Sequence, residues 1–163
     1  MSNLSPQEEK LLLRAIEVSR RSRENGNHPF GGLLADPDGN VLVEAENSVV
    51  TTGDPTGHAE TNLIRLAGTT LAFEQMATGT LYSSCEPCVM CAGAMYWGGI
   101  NRLVYAMSES DLMVFADGEH GENATMSGIG CRAVLASGKR RIEVSGPHLV
   151  AQAMAIHEGF WPG

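Results

Sequence analysis

Two short motifs carry side chains that can bind a metal and use it. His58-Ala59-Glu60 opens one helical segment, and Pro87-Cys88-Val89-Met90-Cys91 opens another. Cysteines three apart on a helix share a face, so both sulfurs can aim at one ion. Near a helix start the dipole also favours their thiolates. His58 supplies a third ligand from a second helix start. Three protein ligands leave one coordination position open, the pattern of a catalytic rather than a structural zinc, and water at such a position has its pKa lowered to about 7. Glu60, two residues past the histidine, stays near the ion without ligating it. A carboxylate there can take a proton from water and pass it to a substrate, a task that a structural site does not need. Each motif alone is weak, since His-x-Glu arises by chance and Cys-x-x-Cys serves redox and structural zinc sites too. Two alternatives stand beside the catalytic reading. Glu60 is also what a first helical turn favours for its dipole. Cys85 forms a second Cys-x-x-Cys with Cys88, which allows a closed Cys3His site, although Glu86-Pro87 separates it from the helix presenting the other two cysteines.

These residues need a scaffold, and the remaining pattern describes one. Ser5-Pro6-Gln7-Glu8 is a capping box with proline at the first helical position. Leu12, Leu13, Ala15 and Ile16 follow at helical spacing, and Asn25-Gly26 ends the helix. A strand is expected over residues 32–35, a turn at Asp36-Pro37-Asp38-Gly39-Asn40, and a second strand over 41–46, making a hairpin. Residues 47–57 read as a polar loop, and 58–67 as a helix closed by Gly68. A strand over 80–84, a helix over 87–97 stopped by Gly98-Gly99 and a strand over 102–106 come next. Residues 108–130 read as irregular with room for one short helix. A strand over 141–144 and a helix over 147–158 complete the chain. Strands alternating with helices imply parallel pairing in the middle of the sheet. The expected fold is one α/β domain over residues 1–163, with a mixed five-stranded sheet and helices on both faces.

Composition narrows the partners. The 163 residues suit one core, 43% are hydrophobic and 18% are charged, and the formal net charge is −8. Proteins that live on nucleic-acid backbones carry a basic face. Here lysine occurs only at 10 and 139, residues 145–163 contain no Lys or Arg, and Lys139-Arg140-Arg141 reads as a solvated strand end. A small-molecule substrate is therefore favoured over nucleic acid. No apolar run reaches the roughly 20 residues of a membrane span. The polar, acidic start is not expected to be a signal peptide, and a cytoplasmic address follows. Three of four cysteines crowd into one segment, which suits metal better than disulfides. Cys131 reads as a buried small hydrophobe.

The signature His-x-Glu with Pro-Cys-x-x-Cys is that of zinc nucleobase deaminases. The stretches NSVVTTGDPTGHAE at 47–60 and LYSSCEPCVMCAGAMYWG at 81–98 resemble the cytidine deaminase superfamily. Within it they are most similar to bacterial guanine deaminases and next to bacterial tRNA adenosine deaminases. The resemblance implies a three-layer α/β/α sandwich, Zn2+ held by His58, Cys88 and Cys91, and Glu60 as proton carrier. It places Asn47 against the bound base, Phe30 and Trp97 as pocket aromatics, and an acidic helper at Asp117 or Glu119. Backbone N–H groups near Ala59 and Cys85 are expected to help hold the substrate. It also implies a homodimer. The relatives close their site with a C-terminal segment ending in Tyr, whereas this chain ends HEGFWPG. Phe160 or Trp161 then covers the site or packs on the surface. The expected reaction is hydrolytic release of ammonia from a free base or nucleoside, with a guanine-type amino-purine ahead of a cytosine- or triazine-type base. A tRNA adenosine deaminase ranks below these, and a non-catalytic zinc-stabilised binding protein ranks last.

Overall fold

The computed structural model describes residues 3–116 and 128–161. Helix α1 (Pro6–Glu24) starts with the capping box the sequence spells. The Ser5 hydroxyl accepts from the Glu8 N–H at 3.3 Å, and the Glu8 carboxylate accepts from the Ser5 N–H at 2.8 Å. Strands β1 (Gly31–Ala35) and β2 (Val41–Glu46) form the hairpin, with a register irregularity between Leu34 and Ala35. Asp36 ties off its turn by accepting from the N–H and side chain of Asn40. Strands β3 (Thr80–Cys85), β4 (Arg102–Met107) and β5 (Glu143–Ser145) complete a five-stranded sheet in the order β2-β1-β3-β4-β5. β1 runs antiparallel to β2 and β3, while β3, β4 and β5 are parallel. The sheet is mixed, as expected.

Alternating side chains build two cores. Leu33, Tyr82, Val104 and Ala106 point to one face and bury Leu12, Ala15 and Ile16 of α1 together with Ala153. Leu34, Leu81, Leu103 and Tyr105 point to the other face and bury Leu63, Ala67, Ala92, Met95 and Leu135. The result is the α/β/α sandwich. Gly31 lets α1 lie directly on β1: a Cβ there would stand 2.4 Å from the Ser19 amide nitrogen.

Several expectations need correction. The helix after the polar loop, α3 (Ala59–Thr70), begins one residue later and runs past Gly68. Gly68 meets open space, and the Thr69 and Thr70 hydroxyls return to the Leu66 carbonyl at 2.9 and 2.8 Å. The loop itself holds a short helix, α2 (Val49–Thr52). Two further helices were not expected from sequence. They are α4 (Phe73–Thr78), closed at its start by the Gln75 side chain on the Ala72 N–H, and α7 (Cys131–Ala136). Helix α5 (Val89–Trp97) starts two residues after Pro87. Helix α6 (Glu109–Ala116) is the short helix allowed for in the irregular stretch. Its start is a second capping box, in which Ser108 and Asp111 exchange hydrogen bonds of 2.8 and 3.1 Å. Strand β5 is three residues long, and the last helix, α8 (Val150–His157), is shorter at both ends than expected. Among the described residues no helix is long and apolar enough to cross a membrane.

Candidate active site

The site forms where α3 and α5 begin. His58 and Cys88 occupy the N-cap positions of these helices, in extended backbone conformation, and neither side chain caps its own helix. Both are thereby free to face each other. His58 Nδ1 lies 3.6 Å from Cys88 Sγ and 3.6 Å from Cys91 Sγ. The three ligand atoms fall within 4.8 Å of one another. Nitrogen and sulfur at the corners of a zinc tetrahedron, with bonds of about 2.05 and 2.3 Å, stand about 3.5 Å apart. The donor set therefore fits zinc. Cys85 is buried and does not belong to the cluster, so the closed three-cysteine alternative is not formed among the described residues. The cysteine pair shares a proton. The Cys91 thiol donates to Cys88, which with His58 draws the Cys88 pKa down to about 4 and pushes Cys91 up. The same Cys88 contact raises the His58 pKa. Thr61 Oγ1 sits 3.3 Å from Cys91 Sγ and orients it from behind.

Glu60 lies in the first turn of α3, 6% exposed, with Oε1 accepting from Ser83 Oγ on β3 at 2.7 Å. Burial pushes its carboxyl pKa up, and the Ser83 hydroxyl partly opposes that. A cleft of about 440 Å³ opens from this point, a size typical of small-molecule sites. His58, Glu60, Cys85 and Cys88 line its floor, and Phe30, Leu112 and Trp161 give it apolar walls. Asn47 also lines it. Its Oδ1 accepts from the Val49 N–H at 3.0 Å, and its NH2 has no hydrogen-bond partner among the described residues. Asn62 holds this loop to α3 by donating to the Glu46 carbonyl, Ser48 Oγ and the Gly57 carbonyl at 3.0, 2.9 and 3.2 Å.

The expected site residues divide accordingly. His58, Glu60, Cys88, Asn47 and Phe30 line the cleft, and Cys91 joins the cluster beneath it. Ala59 is buried at the first position of α3 and adds no side chain to the lining. Trp97 does not line this cleft. It is 86% exposed and borders a separate shallow groove with Phe73, Leu71 and Ile64. Six residues past Cys91, at about 100° each, carry it roughly 240° around α5, away from the metal face. Asp117 and Glu119 lie outside the described residues. Sequence reasoning left open the tail aromatics: Trp161 lines the cleft and donates from Nε1 to His157 Nδ1 at 3.1 Å, while Phe160 packs edge-on against it. It missed His28, Pro55, Met90, Leu112 and two carboxylates, Glu86 and Glu109. Pro55, Glu86 and Met90 lie inside the two motif stretches, beside the ligands, whereas only the fold brings His28, Leu112 and Glu109 to the cleft.

The pattern of the cytidine and deoxycytidylate deaminase zinc-binding region matches residues 5–107, which include the whole His58, Glu60, Cys88 and Cys91 constellation. The chain belongs to this family. It is 38% identical over 162 residues to a probable cytosine deaminase of Schizosaccharomyces pombe, a match covering 99% of this chain and 97% of that one. A guanine deaminase of Bacillus subtilis is 39% identical over 104 residues, covering 63% of this chain and 66% of its own. A tRNA-specific adenosine deaminase of Haemophilus influenzae is 34% identical over 102 residues, with 63% and 59% covered. Among solved structures, the Bacillus subtilis guanine deaminase superposes with a TM-score of 0.61 at 39% identity, over 65% of this chain and 68% of that one. The guanine deaminase of Nitrosomonas europaea reaches 0.73 at 23% identity, over 96% and 84%, a likeness of fold alone. Membership makes the chain a deaminase-family hydrolase of the zinc-binding type.

Proposed function

We propose that this protein hydrolytically deaminates a free nucleobase with the help of zinc. The observation that carries the reading is the pairing of a three-ligand cluster with a buried carboxyl that ligates nothing. His58, Cys88 and Cys91 would hold the ion, which when bound supplies water activated at neutral pH. Glu60 takes a proton from the attacking water and delivers it to the ring nitrogen beside the carbon that bears the amine. It then moves the second proton to that amine, which leaves as ammonia. Ser83 holds the carboxyl in place between transfers. Asn47 donates to the base, Phe30 and Trp161 wall the cleft beside its ring and exclude water, and the first-turn N–H of Ala59 adds a donor.

A cytosine-type base is the first reading, because the likeness to the probable cytosine deaminase runs through the tail that carries Trp161. The guanine-type amino-purine expected from sequence is the second, carried by the 39% identity across the zinc segments. The exposed apolar groove of Trp97 and Phe73 supports the expected homodimer. The test is ammonia release from cytosine, 5-azacytosine, guanine, isoguanine, adenine, cytidine and guanosine, with Glu60→Ala as control. Turnover of a free base that falls by roughly 10²–10⁴-fold in the variant is expected. Unchanged turnover in Glu60→Ala removes the mechanism.

A further inference from the structure

One carboxyl in the cleft has no task in folding and none in the proton transfers. Glu109 is 7% exposed, and its Oε2 is fully buried with no hydrogen-bond partner among the described residues. It opens α6, yet Ser108 and Asp111 already cap that helix. Among the described residues only the Glu109 backbone is engaged, through its N–H on Glu86 Oε2 at 3.3 Å. Glu86 itself is committed to the frame, since its other oxygen accepts from the Cys131 N–H at 3.0 Å. Burying a polar group without a partner is costly, and such groups are rare unless something else satisfies them. Glu109 lines the same cleft as Glu60, Asn47 and Trp161. Asn47 presents a donor there and Glu60 is held by Ser83. Among the described residues the cleft therefore retains one uncommitted carboxyl, in a lining that also holds an amide and apolar side chains.

Resting on the reading of this cleft as a base site, we propose that Glu109 is a specificity-determining contact that accepts a hydrogen bond from an N–H of the bound base other than the departing amine. A base that offers this N–H pairs with the carboxyl once a small turn of the Glu109 side chain brings an oxygen to the cleft it lines. A base in which a methyl or a sugar replaces that hydrogen leaves it unpaired, and a site built around a hydrogen bond rejects the analogue lacking it far more strongly than an apolar pocket rejects a misfit.

The test measures binding apart from turnover. Cytosine, guanine and their ring-N-methylated forms are titrated by calorimetry into zinc-loaded Glu60→Gln protein, with and without Glu109→Gln or Glu109→Leu. Thermal unfolding of each variant is measured alongside. The expected result is at least tenfold weaker binding of the unmethylated base in Glu109→Leu, and a smaller loss in Glu109→Gln. One methylated form should bind weakly and be indifferent to both substitutions. The melting temperature should hold or rise, since a buried unpaired carboxyl is removed. Binding of the unmethylated base unchanged in Glu109→Leu, or weakened equally for every methylated form, overturns the assignment while leaving the site's function intact. So does a melting temperature lowered by several degrees with binding preserved, which is a purely structural role. If neither base binds the Glu60→Gln protein at all, the reading of the cleft fails, and the assignment of Glu109 fails with it.

Discussion

Helix α1 and the helices α3 and α5 begin in opposite ways. The start of α1 satisfies its free amides locally: Ser5 and Glu8 exchange hydrogen bonds, Pro6 removes one donor, and Glu8 and Glu9 face the dipole. At the starts of α3 and α5 the cap positions go to His58 and Cys88, which make no capping bond. A cap is worth about 1 kcal/mol, and both helices forgo it. What they gain is a histidine nitrogen and a sulfur 3.6 Å apart, beside a buried carboxyl. At α3 and α5 the residues that forgo the local rule for stability are residues of the site.

The sharpest way to break this comparison is His58→Ser, which turns a ligand into a good cap. Zinc binding and turnover should both be lost, while the metal-free variant melts no lower than metal-free wild type. A large drop in that melting temperature would make His58 a packing residue. Next in size is Ser83→Ala, which frees the Glu60 carboxyl from its one side-chain partner among the described residues. Turnover should fall by about tenfold, the worth of one hydrogen bond to a charged group, with zinc content by metal analysis unchanged. At α1 the converse holds. Ser5→Ala should cost about 1 kcal/mol, a shift of about 2–4 °C in melting for a chain of this size, with turnover untouched. The same cap also has a pH dependence. The Ser5 N–H, and then the Arg102 guanidinium at 2.6 Å, hold the Glu8 pKa at about 2 against an ordinary 4.5. Its stabilisation is complete above the ordinary value and is lost as pH falls toward 2. Acid unfolding of Glu8→Gln should be correspondingly flatter over that window when followed by circular dichroism.

The comparison also shows what could be read from sequence. Helix α1, the hairpin and the four-residue constellation were legible because each is local: a box four residues long, a turn between alternating strands, ligands at fixed spacing. Helix α7 was not, because its start is capped by Glu86, 45 residues away. Helix α4 is six residues with no polar cap residue of its own. Trp97 sits in a motif similar to the family's, yet its phase on α5 turns it outward to 86% exposure. Glu109 and Trp161 reach the cleft only because β4 and the last helix end beside it. Spacing within a helix can be counted, whereas convergence of separate elements has to be seen.

The coordination of the ion tests the account most directly. X-ray absorption at the zinc edge of the metal-loaded protein, at one zinc per chain, should show two sulfur neighbours at about 2.3 Å and two lighter ones at about 2.0–2.1 Å. Three sulfur neighbours would mean that the protein saturates its own metal, and a saturated metal leaves Glu60 with nothing to deprotonate.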